Sequence, residues 1–171
     1  DYLCEHKAPP MKHASRHSLS LDSFIPDEEI YVLALNSKRE AFQMAMQVNR
    51  RLGICLQRST TDYICSEQQS ISYAVFEYEN HDAGKALRLV ENLVFQPELS
   101  KEAGLFQLAE WDKKYALFKE FANIQYLLIS HGFTFNEVQI MLKKLKEIPG
   151  IPTVYPVEYQ HLKNLNYIYN A

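Results

Sequence analysis

Two stretches of the chain share one rhythm. Residues 30–58 (IYVLALNSKREAFQMAMQVNRRLGICLQR) and 124–157 (IQYLLISHGFTFNEVQIMLKKLKEIPGIPTVYPV) each open with an apolar run and pass through a short polar stretch. Each then sets apolar side chains three and four positions apart. Ala41, Met44, Ala45, Val48 and Leu52 make the first stripe, and Val138, Met141, Leu142, Leu145 and Ile148 the second. That spacing is one face of an amphipathic helix. Ser37-x-x-Glu40 and Thr134-x-x-Glu137 read as capping boxes. Gly53 and Pro149-Gly150 end the two helices. The runs Ile30–Leu35 and Ile124–Ile129 suit strands covered on both faces. A further strand follows each helix, at Ile54–Ser59 and at Thr153–Val157. The chain thus predicts two strand–helix–strand units.

Between and around these units the punctuation is that of strands and turns. HSLSLD (17–22) alternates and predicts a first strand, and Pro26 and Asp27 predict a turn over Ser23–Glu29. Thr60–Gln69 is polar loop, with Tyr63–Cys65 able to pair briefly. Ile71–Tyr78 alternates, with Ser72, Ala74, Phe76 and Tyr78 on one side and Ile71, Tyr73, Val75 and Glu77 on the other. A turn ending at Gly84 makes Ala86–Phe95 its hairpin partner. Pro97–Gly104 reads as charged loop, and 105–121 as a short strand near Tyr115–Phe118 with irregular structure. Pro152 and Pro156 place Thr153–Val157 at a sheet edge. Residues 162–169 predict a last short strand.

The expected fold is α+β: a mostly antiparallel sheet with both helices on one face. The duplicated units suggest a ferredoxin-like core, in which each helix crosses between non-adjacent parallel strands. The hairpin of 71–95 would extend that sheet. Residues 1–12 are expected to be a flexible N-terminal segment, either an extension or a remnant before Met11, and 13–171 a single domain.

Charge and cysteine content narrow the setting. A net charge of −3 argues against a surface that grips nucleic acid all over, though it permits a local basic patch. Cys4, Cys55 and Cys65 form no C-x-x-C pair and are too few and too odd for a disulfide framework, which favours a reducing, intracellular setting. No apolar run is long enough for a membrane span, so no membrane partner is expected.

Few constellations carry chemistry. The five glycines are isolated, and no phosphate-binding loop occurs. His13 and His17 are spaced i, i+4 with Cys4 and His6 upstream, but in a polar, proline-bearing tail that reads as solvated, so no metal site is assigned. Cys55 sits between Ile54 and Leu56 and reads as a small core residue rather than a nucleophile. Glu120, flanked by Phe118 and Phe121, is either a carboxylate with a raised pKa or one paired with Arg50, Arg51 or Arg58. Tyr126 and Tyr31 hold similar places in the two units and suit buried rings with hydrogen-bonded hydroxyls. Arg50, Arg51 and Arg58 cluster after the first helix, and Lys143, Lys144 and Lys146 near the end of the second. Cations there favour the helix dipole, and together they would form one patch for RNA or an acidic partner.

Phe118–Gly132, FKEFANIQYLLISHG, resembles the signature of the bacterial IPExxxVDY family, with Glu120, Ile124 and Tyr126 on matching positions. Phe118 and Lys119 stand where that signature has Ile and Pro, and Gln125 where it has Asp. The similarity extends over about 11–169 through RRLGICLQR, KKLKEIPGIPTVYPV and LKNLNYIY. The resemblance implies a cytoplasmic bacterial protein and supplies no reaction. No cofactor is expected. The expected function is a non-enzymatic interaction module, pairing with a protein partner or with itself through proline-marked edges and the tyrosines 155, 159, 167 and 169. The alternatives are a small-molecule-binding regulatory domain and an RNA- or ribosome-associated protein.

Overall fold

The computed structural model describes residues 30–65, 71–98 and 111–160. The strand expected at 17–22, the segment 1–12, the loop at 99–104 and the last strand at 162–169 lie outside these residues. Ten strands and two α-helices are described: β1 (Ile30–Asn36), α1 (Ala41–Leu52), β2 (Gln57–Arg58), β3 (Tyr63–Cys65), β4 (Ile71–Tyr73), β5 (Val75–Asn80), β6 (Lys85–Glu91), β7 (Leu93–Glu98), β8 (Trp111–Ala116), β9 (Tyr126–His131), α2 (Phe135–Lys146) and β10 (Thr153–Val157). Six strands form one sheet in the order β10-β1-β9-β6-β5-β2, and β3-β4 and β7-β8 form two-stranded ladders. Every pairing is antiparallel. The fold is α+β, with both helices on one face of the sheet.

The alternation of side chains explains why β1 and β9 are apolar throughout. Leu33, Leu35, Tyr126 and Leu128 point to the helix side, where they meet Met44, Val48, Val138, Met141, Leu142 and Leu145. Val32, Ala34, Leu127 and Ile129 point the other way and are covered by Ile71, Tyr73, Leu117, Phe118 and Ile124. Both faces of the central strands are therefore dry. Each fully buried side chain of this kind contributes about 1.5–3 kcal/mol, so neither cover is dispensable.

The two helices begin differently. Thr134 caps α2 as expected: its hydroxyl accepts from the Glu137 amide, and the Glu137 carboxylate accepts from the Thr134 amide. The first capping box does not form. Glu40 is the N-cap of α1 without a side-chain bond. Ser37 is instead buried and tied elsewhere, donating to the Gly150 carbonyl at 3.0 Å and accepting from the Arg39 amide at 3.2 Å. A long-range contact has taken the hydroxyl that local spacing assigned to the helix.

Further expectations change. Ile71–Tyr78 is not one strand; it breaks at Ala74 and passes from the β3-β4 ladder into the main sheet. Ala86–Phe95 breaks likewise at Asn92, a polar residue with no exposure. The β5-β6 hairpin extends the sheet beyond β9, as expected, with β2 as the outermost strand on that side. The strand after α1 shrinks to Gln57–Arg58, and the strand of 105–121 is Trp111–Ala116, followed by a 3₁₀ turn at Lys119–Phe121. β10 does lie at the sheet edge. Its Pro156, opposite Leu33, is a residue that edge strands tolerate.

Candidate functional site

Asn92 organises one end of the sheet. Its amide donates to the carbonyls of Phe121 (2.9 Å) and Ile124 (2.8 Å), and its side-chain oxygen accepts from the Phe118 N–H at 2.8 Å. Its backbone N–H donates to Gln125 and its carbonyl accepts from Leu117. These bonds hold 117–125 against the break between β6 and β7. Gln125 then reaches both ways: its backbone N–H donates to the Asn36 side chain at 3.0 Å and its side-chain amide to the Leu93 carbonyl at 2.8 Å. The Tyr126 hydroxyl donates to the Arg39 carbonyl, fixing the loop between β1 and α1. Arg39 in turn donates to the Pro149 carbonyl at 2.9 Å, which joins that loop to the end of α2.

The result is a groove at the end of β1. Two adjoining hollows of about 620 and 610 Å³ share Ser37, Lys38, Arg39, Leu93 and Gln125. One runs on to Gln43, Asn123 and Pro152, and the other to Glu40, Glu91, Val94, Phe95 and Tyr126. Its walls mix apolar and polar side chains, and its loop side carries Lys38, Arg39 and Glu40. Phe95 is 52% exposed at the rim, and Lys38 is exposed. The first turn of α1, whose N–H groups have no side-chain cap, opens nearby.

Two titratable groups in the groove are displaced from their ordinary values. Burial pushes the Glu91 carboxyl up, partly countered by the Ala74 amide, which donates to it at 3.4 Å, and by the charge of Arg58. Burial also pushes the Tyr126 hydroxyl up, aided by the charge of Glu91. Tyr126 therefore stays protonated as a donor to Arg39. The Ser37 hydroxyl is likewise committed at both its donor and acceptor positions. The groove presents fixed dipoles, the cations of Lys38 and Arg39, the carboxyl groups of Glu40 and Glu91, and an apolar strip of Leu93, Val94 and Phe95, a set suited to holding a ligand.

Of the candidate site residues picked out in the sequence only Tyr126 lies here, though Ser37 and Glu40, read there as a helix cap, also line the groove. Glu120 is not held among apolar neighbours: it is exposed in the turn Lys119–Phe121, while its neighbour Phe118 is fully buried. Its carboxylate makes no ion pair with Arg50, Arg51 or Arg58. Arg51 donates to the Lys144 carbonyl at 3.0 Å and pairs with Glu147, so it caps the end of α2. Arg50, Lys143 and Lys144 are exposed around that contact. Arg58 has separate partners: it pairs with Asp62, donates to the Val75 carbonyl at 3.0 Å and sits 5.4 Å from the Phe76 ring centre. The Arg58 hydrogen bond is the main reason the Asp62 carboxyl is held below its usual range. The expected single basic patch is thus partly consumed by structural contacts.

Sequence reasoning missed Asn36, Lys38, Arg39, Glu91 and Asn92. The signal for the last two was present: Glu91 and Asn92 are the one adjacent pair of polar residues in the run Ala86–Phe95. Among the described residues no group of three or more His, Cys, Asp and Glu is arranged to hold a metal ion, and no helix is long and apolar enough to cross a membrane. Comparison of the chain with protein-family models, with curated proteins and with solved structures returns no match.

Proposed function

We propose that the chain is a non-enzymatic interaction module that receives an extended segment of a partner protein in the groove at the end of β1. The carrying observation is the shape and chemistry of that groove. Its two joined hollows, about 620 and 610 Å³, run from Phe95 to Pro152 and set the apolar Leu93, Val94, Phe95 and Pro152 beside the exposed Lys38. Such a surface suits a segment with apolar anchors and an acidic side chain. The commitment of Ser37 and Tyr126 to structural hydrogen bonds supports binding over catalysis.

The frame fits this reading as a ferredoxin-like core with added strands: β10, β1, β9 and β6 follow its order and directions, with β5 and β2 placed outside β6. A cytoplasmic setting is part of this reading; Cys55, read in the sequence as a core residue, is instead exposed. Membership of the IPExxxVDY family belongs to the same proposal. In the resembling segment Phe118, Ile124 and Tyr126 are buried and Glu120 is exposed, which favours a packing role for most of those positions.

A photo-crosslinking residue in place of the exposed Glu40 tests the proposal in lysate of the organism that encodes the chain. We expect one protein adduct that disappears with Lys38→Glu and with Phe95→Asp, both changes at non-buried positions. An adduct indifferent to both changes would place the partner elsewhere and sink the reading.

A further inference from the structure

A second hollow shares no lining residue with the groove. It lies between the end of α1, the middle of α2 and the β5-β6 hairpin, and measures about 170 Å³. Its lining is mainly apolar, with Leu87 and Met141 buried on the inside and Ile140, 54% exposed, at the mouth. An apolar cavity of about 150 Å³ is enough to hold a benzene ring. This hollow therefore has room for one ring or a short branched chain, and not for a nucleotide or a lipid tail.

The rim is charged unevenly. Lys85, Lys144 and Glu137 all border the opening. Glu137 is already used, pairing with Lys85 through one oxygen and completing the α2 capping box through the other. Lys85 is held between Glu137 and the face of Phe133, 5.2 Å from the ring centre. The Lys144 ammonium has no ion-pair partner among the described residues; its backbone carbonyl accepts from Arg51 and from the Glu147 N–H. The mouth thus carries one cation beyond what its own carboxylate neutralises, beside an apolar interior the size of a ring.

We propose that this hollow is a binding site for a small hydrophobic carboxylic acid, with its ring or branched chain against Leu87 and Met141 and its carboxylate on Lys144. The site is independent of the partner groove. An apolar body gives the affinity and one charge-assisted contact at the rim selects the acid over its neutral analogue.

The test follows the Met141 methyl resonance of the full chain during titration with phenylacetate and, separately, benzyl alcohol. Phenylacetate is expected to give a saturable shift with a Kd on the order of 1 mM, as befits a ligand of this size. Benzyl alcohol is expected to bind about three- to tenfold more weakly, the range for one charge-assisted contact at a partly exposed rim. Lys144→Gln should weaken phenylacetate by that factor and leave benzyl alcohol unchanged. Ile140→Glu, at an exposed position that does not threaten folding, should abolish phenylacetate binding by placing a like charge at the mouth. No saturable shift, equal binding of acid and alcohol, or indifference to either substitution would overturn the proposal.

Discussion

Replacing Asn92 with alanine should loosen the end of the sheet on which the groove is built. The substitution removes three side-chain hydrogen bonds, to Phe121, Ile124 and Phe118. The Phe121 carbonyl keeps the Ile124 N–H as a donor. The Ile124 carbonyl and the Phe118 N–H each lose the partner that Asn92 supplies, in a region where Phe118 is fully buried and Ile124 is 4% exposed. A buried polar group deprived of its partner costs about 1–3 kcal/mol, so the two together should cost about 2–6 kcal/mol. That is a large share of the about 5–15 kcal/mol that holds a typical domain together. Urea unfolding of wild type and variant measures it, with the midpoint shifting and the slope unchanged if the native surface is preserved. Hydrogen exchange should show the Phe118 amide losing protection more than the amides of α2. A stability loss below about 0.5 kcal/mol, the scale of an unremarkable surface change, would refute the reasoning.

Other substitutions probe the same account. Thr134→Ala should cost about 1 kcal/mol in urea unfolding through loss of the α2 cap, whereas Ser37→Ala should leave α1 helicity unchanged while raising exchange at the Gly150 turn; equal loss of helix signal in both would contradict the different starts of the two helices. Gly132→Ala should destabilise by more than about 2 kcal/mol, because its φ is +70° and an added Cβ would lie 2.1 Å from the Gly84 carbonyl oxygen; a midpoint within error of wild type would exclude that close approach. The pH dependence should contain two opposed parts. Glu137, held down to about 2 chiefly by Lys85, contributes stability that is present above about 4.5 and lost as pH falls toward 2. Glu91, pushed above its ordinary 4.5 by burial, contributes in the opposite sense: the folded state keeps its proton longer, and stability is lost as pH rises through the folded value. Glu91→Gln should remove that loss and Glu137→Gln the acid-side loss. Urea midpoints from pH 2 to 7 that run parallel in all three proteins would contradict both assignments.

The regular parts of the fold were legible because they follow local rules. The stripes of α1 and α2, the Gly53 stop, the α2 cap and the two-sided burial of β1 and β9 all come from spacing that secondary structure imposes. The departures have a common cause in contacts between residues far apart in the chain. Ser37 leaves its helix for Gly150, 113 positions away. Ala74 and Asn92 break strands because the chain there passes from one sheet to another, a matter of tertiary packing. The groove was the least legible part. Its loop Asn36–Glu40 becomes a wall only when Gln125 and Tyr126 tie it down from a strand about ninety positions later. Glu120, by contrast, drew notice through its apolar neighbours, but Phe118 turns inward while the carboxylate faces solvent.

The central claim is that a partner protein occupies the groove at the end of β1. The most direct measurement is hydrogen–deuterium exchange on the chain recovered with its partner, compared with the chain alone. Slowed exchange confined to 36–43, 93–95 and 123–126, with the helix ends around Arg50 and Lys143 unchanged, is the predicted result. Protection at those helix ends instead, lost on ribonuclease treatment, would contradict the account and assign the chain to RNA.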